Sequence, residues 1–426
     1  MTRRICAPGA LGRFGVLIAS LLVIGACGRA PVASGGTVRV LGSWADTERD
    51  AFLEVAEKFE ARTGIDVVYS STRDLRGVIG QALERGSPPD IAGLEGPAHM
   101  RELARIGALR PLSGAIDVQA YKAAVAPTFI ELGTVDGRLV GAFVKSTLKG
   151  LLWYNPASLR TGTPHSFDEL VGMARVVTKG PMKTWCVGLE SAESSGWPGT
   201  DWIESFLLRD AGLETYDAWV RGDLAWSSGS VRRAFESFGQ IVAPDTVRGG
   251  IEGALSTNFA QAGDPLFASP PGCLLMMQGS FMPAFFEADG HRAGVDYDFF
   301  PFPEIEPDAA GAVVGGGDLI GLLTDRPQAA ALMDYLIGAE AQQLWVSYSG
   351  ALSVNRGVLD YPNPIVGRAA DLLSGAAHFR FDGSDLMPRA MNEAFWKAVL
   401  DFTSDQSRLG SILADLDAVR LSAYGG

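Results

Sequence analysis

The sequence predicts an α/β protein of open sheets flanked by helices, with more than one core. Three observations carry this. Between residues 37 and 106, short apolar runs alternate with segments of helical period, the pattern of strand–helix–strand units around parallel strands. The chain has 426 residues, more than one ordinary core holds and enough for two or three domains. Hydrophobic residues make up 47 % and charged residues 20 %, a balance that excludes a disordered chain.

Each element follows in order. Thr37-Val-Arg-Val-Leu41 reads as a buried strand, and Ser43-Trp44-Ala-Asp46 turns into a helix from about Thr47 to Arg62. Phe52, Val55, Ala56 and Phe59 share one face of that helix, and Gly64 stops it. Ile65 to Tyr69 is a second strand, which makes a parallel pair with a right-handed crossover. A helix over 72–85 leads through Gly86-Ser-Pro-Pro to the strand Asp90-Ile-Ala-Gly-Leu94. Another helix follows, over about 97–106. Open sheets of this kind bind ligands beyond the carboxyl ends of their strands, where Trp44 and Glu95 fall. A helix N-terminal acid is the structural alternative for Glu95.

Further along, Asp136 to Phe143 reads as a turn and a strand. Gly315-Gly-Gly-Asp-Leu-Ile-Gly-Leu-Leu323 is a glycine-entered strand, followed by a helix from Pro327 to Ile337 with Ala331, Leu332, Tyr335 and Leu336 inward. The three glycines lack the Lys-Ser/Thr of a phosphate-binding loop. They are expected instead to let the backbone approach a ligand or the other half of the molecule closely.

The stretch Thr184 to Ile203 holds a short apolar strand at Trp185 to Leu189 and then a loop of small polar residues. It ends at Asp201-Trp202 as a helix begins. Aromatic faces beside carboxylates suit a ligand with both an apolar face and hydroxyl groups, as sugars have. The alternative is a surface loop whose Trp197 and Trp202 serve the core.

Net charge is −13, and Arg3, Arg4 and Arg13 fall in the first 26 residues, which carry no acid. This balance argues against nucleic acid and against anionic membrane as the main partner. Residues 1–26 read as a secretory leader, with an apolar run from Val16 to Ile24. Ile24-Gly-Ala-Cys27 resembles a bacterial lipobox, with Cys27 the lipidated residue and 27–36 a tether. Of the four cysteines, Cys186 and Cys273 remain after the leader and Cys27, and in an oxidising compartment they are expected to pair. The four histidines, His99, His165, His291 and His378, show no metal-site spacing, so neither zinc nor another cofactor is expected.

Several segments together carry a family resemblance: Ser87-Pro-Pro-Asp90, Gly107-Ala-Leu109 with Pro111-Leu112, Trp153-Tyr-Asn-Pro156, Gly279-Ser-Phe281 and Tyr297-Asp-Phe-Phe-Pro-Phe-Pro303. In this order and spacing the chain resembles the family 1 extracellular solute-binding proteins of ABC importers, of which the maltose-binding protein is a familiar member. The resemblance implies a two-lobed periplasmic-binding-protein fold of type II, with hinge crossings between discontinuous lobes. It places one lobe at 37–144 plus 301–347 and the other at 145–300 plus 348–426. Phe379 to Pro388, Asn392 to Trp396, and the segments around Cys186 and Trp197 are similar to the α-glucoside and oligosaccharide branch.

Carried over by position, the resemblance implies ligand contacts from Asp201, Trp197, Phe281 and Trp396, with Trp44, Glu95 and Asp318 from the first lobe. Phe281 stands where a stacking tryptophan is frequent, which argues against a long glucan. Lys149 and Arg356 lie near expected crossings as hydrogen-bond donors. Trp396 has a core role and Arg356 a structural ion pair as alternatives. The implied protein is a monomer that closes on a sugar, is anchored to the membrane by its lipid, and delivers the ligand to two permease subunits and an ATPase. A glycoside hydrolase using Glu190/Glu193 or Asp201/Glu204 is the competing enzyme reading, and no enzyme activity is expected. A glycerophosphodiester is the alternative ligand, although it would want an arginine cluster that the loop lacks.

Overall fold

The structure, a computed structural model, describes residues 35–425 apart from 73, 95, 160–161, 178–181, 307–308 and 350. The expected leader, Cys27 and Glu95 lie outside the described residues. Twelve strands are described: β1 (Thr37–Gly42), β2 (Asp66–Ser71), β3 (Ile91–Leu94), β4 (Thr134–Val135), β5 (Arg138–Leu139) and β6 (Gly141–Leu148) in the first part. They continue with β7 (Leu151–Tyr154), β8 (Lys183–Trp185), β9 (Cys273–Gln278), β10 (Asp298–Pro301), β11 (Ala312–Leu322) and β12 (His378–Phe381).

Six strands form a larger sheet in the order β12-β11-β3-β1-β2, with β6 on the other edge of β11. β1 runs parallel to both β2 and β3, as the apolar periodicity implies. Its first crossover is the Asp46–Thr63 helix, which ends at Gly64 in the left-handed region, φ 66°. β11 holds this sheet together. One edge pairs with β6 over Gly315 to Gly321, while the other pairs with β12 at its start and β3 at its end. The smaller sheet has four strands, β10-β7-β9-β8, antiparallel except for β8 with β9.

Each sheet has its own core. The larger one buries Phe52, Phe59, Ile91, Phe143 and Trp345. Successive residues of β7 point to opposite faces, so Leu152 joins one core with Trp202, Phe206 and Phe395, while Leu151 and Trp153 join another with Met276 and Phe286. β11 reaches both halves: Leu319 and Ile320 pack in the larger-sheet core, Ala312 and Val314 in a smaller-sheet one. The 348–426 segment, expected in the second lobe, divides between the sheets. Its β12 lies in the larger, and its Arg389–Ser404 helix packs on the smaller.

Cys186 and Cys273 are bonded, with their α-carbons 5.6 Å apart, and close a loop with a sequence separation of 87. A cross-link of that span removes on the order of 4 kcal/mol of unfolded-chain entropy. The loop expected at 190–200 is shorter than the sequence suggests, because the helix begins at Trp197 and runs to Ala211. Pro198 sits in its first turn, where no N–H is needed for the ladder, so Trp-Pro-Gly starts a helix here rather than breaking one.

Candidate functional site

A cleft of about 730 Å³ opens where the two halves meet, within the usual size of a small-molecule site. Its floor is organised by two lysines four residues apart. Lys145, on β6, stands opposite Asp318 in the ladder with β11, where the register shifts after Asp318. A bulge of this kind re-aims side chains, and here it leaves Asp318 beside the lysine. Lys145 Nζ lies 2.9 Å from Asp318 Oδ2 and 2.8 Å from Glu48 Oε1. Trp44 donates its indole N–H to the same Asp318 oxygen. Burial works against the charge on Lys145, but Asp318 and Glu48 outweigh it and raise its pKa.

Lys149 follows β6, its backbone N–H donating to Val314 O at 2.9 Å. Its ammonium lies 2.9 Å from Asp201 Oδ1 and 2.9 Å from Asp382 Oδ2, and 4.9 Å from the centre of the Trp197 ring. Both carboxylates are buried, at 3 % and 2 % exposure. Burial pushes Asp201 up to about 7; Lys149 opposes this and the neighbouring Asp382 adds to it. Burial also acts against ionised Asp382, but Lys149 and a hydrogen bond from Ser384 hold its pKa below the ordinary value. Lys149 itself is raised well above normal by the two aspartates, against the effect of burial.

The walls are aromatic. Trp197 is half-buried and meets Phe259 edge-on at 5.2 Å between ring centres and Phe281 at 6.2 Å, with Phe285 beyond. Gly196, at φ 106°, lies against Trp396, and a Cβ there would sit 2.3 Å from its carbonyl oxygen. Only glycine permits this approach, and it brings the Trp197 and Arg389–Ser404 helices together at the rim. On that second helix, Asn392 and Trp396 lie one turn apart and both line the cleft. Asn392 Oδ1 and Trp396 Nε1 are buried without a hydrogen-bond partner. The Gly315-Gly-Gly backbone also runs close to its neighbours. A Cβ on Gly315 would meet Thr147 O at 2.8 Å, and one on Gly317 would meet Lys145 O at 2.7 Å.

Of the residues expected to bind ligand, Trp44, Lys149, Trp197, Asp201, Phe281, Asp318 and Trp396 line this one cleft. Trp44 is only 2 % exposed and packs with Phe52, Tyr69 and Trp345, so much of it serves the core. Arg356 is exposed, donates its backbone N–H to Ala124 O, and is not among the lining residues. Sequence reasoning missed Lys145, Glu48, Asp382 and Asp385, all in the lining. Lys145 had one visible signal, a lone charge inside the otherwise apolar and small run Gly141-Ala-Phe-Val-Lys-Ser. Among the described residues no cluster of His, Cys, Asp and Glu could hold a metal ion.

Two α/β halves joined by shared strands, with an aromatic cleft between them floored by paired charges, define a two-lobed binding protein of the periplasmic type. The chain belongs to the bacterial extracellular solute-binding protein family, whose model matches residues 45–343. It is 34 % identical over 392 residues to the alpha-glucosides-binding periplasmic protein of Rhizobium meliloti, covering 88 % of this chain and 84 % of that one. It is 32 % identical over 398 residues to the osmoprotective compounds-binding protein of Synechocystis, covering 91 % and 94 %. Among solved structures, a chitin oligosaccharide binding protein superposes with a TM-score of 0.78 at 18 % identity, covering 92 % and 100 % of the two chains. That likeness supports the type II fold.

Proposed function

We propose that this solute-binding protein captures an α-glucoside or small oligosaccharide between its lobes and hands it to an ABC permease driven by its ATPase. The observation that carries this reading is the juxtaposition of Trp197, Phe281 and Trp396 with the Asp201–Lys149–Asp382 group in one cleft. Aromatic rings take the C–H face of a sugar, and carboxylates take its hydroxyl hydrogens. The α-glucoside relative supports the choice of sugar. The osmoprotectant relative keeps a small compatible solute as the second reading.

The charge pattern argues against a phosphodiester. Every cationic side chain in the described lining is already paired: Lys145 and Lys149 with two carboxylates each, Arg76 with Glu102 and Arg389 with Glu393. Binding without turnover is part of the reading. Glu190 is occupied by the Ala192 N–H and the Asn258 amide, and Glu204 is sealed from the cleft. Ligand contacts from Trp44, Asp318, Lys149, Trp197, Asp201, Phe281 and Trp396, hinge closure of two lobes built on the two sheets with β12 in the larger-sheet one, a monomeric state, and a lipid on Cys27 complete the proposal.

The test is a thermal-shift screen of residues 28–426 with maltose, trehalose, sucrose, melibiose, maltodextrins and glycerophosphocholine. A ligand at a hundred times its dissociation constant adds about 2.7 kcal/mol of stability. A shift with one glucoside class, with the sugar recovered intact, supports the reading. A shift with glycerophosphocholine alone sinks it.

A further inference from the structure

After β12 the chain turns at Asp382 into the four-residue helix Gly383–Leu386, then reaches the Arg389–Ser404 helix. This short passage gives the cleft Asp382, Ser384 and Asp385. One helical turn has no stability of its own, because nucleation costs more than a single turn returns. Something outside it must hold it in place.

Glu204 does so from the Trp197–Ala211 helix. It is fully buried, and its three donors all come from other elements. Oε2 accepts from the Gly383 N–H at 2.7 Å and from the Tyr216 hydroxyl at 2.6 Å, and Oε1 from the Ser384 N–H at 3.0 Å. The Tyr216 oxygen also receives the Gly383 N–H, at 2.9 Å. From the larger-sheet side, Arg101 donates to Leu386 O at 2.9 Å. Glu204 is absent from the cleft lining, yet lies three residues beyond Asp201, on the same side of one helix.

A buried carboxylate is a costly way to fill a core, where an apolar residue of similar volume is neutral or better. Here its bonds converge on the segment that carries ligand-facing groups. We infer that Glu204 is a positioning residue for the binding cleft: it clamps residues 383–384 so that Asp382 meets Lys149 beside Asp201. One helix thus presents a carboxylate to the cleft and, a turn deeper, fixes the segment bearing the second. The ligand arm of the inference rests on the sugar-binding reading. The charge arm does not.

The test uses the full chain with E204Q, E204D, Y216F and, as a core control on the same helix, F206L. Three quantities are read: the unfolding midpoint, the titration of the Asp201 carboxyl carbon by ¹³C NMR without ligand, and the Kd of whichever sugar shifts the wild type. E204Q is expected to move the Asp201 midpoint beyond replicate error and to weaken sugar binding by roughly ten- to a hundredfold, the range that loss of an outer-shell partner costs at metal sites. E204D should recover part of both. F206L should lower the unfolding midpoint and move neither. An E204Q protein that melts earlier but keeps the wild-type Kd and Asp201 titration overturns the inference and leaves Glu204 a core residue. If no sugar binds the wild type, the sugar reading fails alone, and an unmoved Asp201 titration still overturns this one. Should E204Q not fold, Y216F, which removes one donor, takes its place: a moved Asp201 titration and a weaker Kd support the clamp, and wild-type values of both overturn it.

Discussion

The two lysines on the cleft floor share a plan and differ in solvation. Each has two carboxylates and an indole face beside it: Glu48 and Asp318 with Trp44 and Trp345 for Lys145, Asp201 and Asp382 with Trp197 for Lys149. Around Lys145 the carboxylates are wet, at 41 % and 38 % exposure, and both tryptophans are buried. Around Lys149 the carboxylates are buried and the tryptophan is half open. The same atoms therefore do different work. The wet node holds strand to helix at the mouth of the larger-sheet half; the dry node holds charge that a ligand can feel.

The largest effect should separate the nodes directly. K149M leaves Asp201 and Asp382 buried without their cation and should cost about 3–5 kcal/mol in denaturant unfolding. If K149M costs no more than K145M, the contrast in solvation is wrong. The tryptophans should reverse in role. W44A opens a hole among Phe52, Tyr69 and Trp345 and should cost about 3–5 kcal/mol of stability. W197A should barely change the melt yet weaken the sugar roughly ten- to a hundredfold, about 1.4–2.7 kcal/mol, by calorimetry.

The dry node should also write its sign on the pH dependence of stability. Asp201 has a raised folded pKa, so its contribution is full below the ordinary carboxylate range and is lost as pH rises towards 7. Asp382 is lowered, so its contribution appears as pH climbs through that range and disappears in acid. D201N should therefore remove a fall in stability between about pH 4 and 7, and D382N a rise in stability below about pH 4, so the two tilt the stability–pH curve in opposite directions in adjacent windows. Slopes of the same sign would show that the two carboxylates do not divide the charge as described. The smallest effect is K145M, expected to cost about 0–1 kcal/mol because water already screens its partners.

How much of this was legible in the sequence depended on how local the signal was. The β1 to β3 region was readable because its apolar period and the Gly64 stop lie within a few residues of each other. Tryptophans and the strand–helix loop marked Trp197 and Asp201. Asp382 was not legible, since nothing near it says that Lys149, more than two hundred residues earlier, lies within 3 Å. Lys145 was hidden for a similar reason. Its partner Asp318 is set by a bulge, and a register shift leaves no mark on one strand read alone. The start of the 197 helix was misread because Trp-Pro-Gly has the composition of a break, and only packing against Trp396 shows that it is an opening.

β12 has a consequence in time as well as in space. The larger sheet waits for residues 378–381, and a smaller-sheet core waits for Leu409, Ile412, Leu413 and Leu416 on the last helix. A ribosome making this chain from its amino end has released most of it before these residues arrive. Both halves are then completed late, through contacts between residues far apart in sequence, the kind that form slowly.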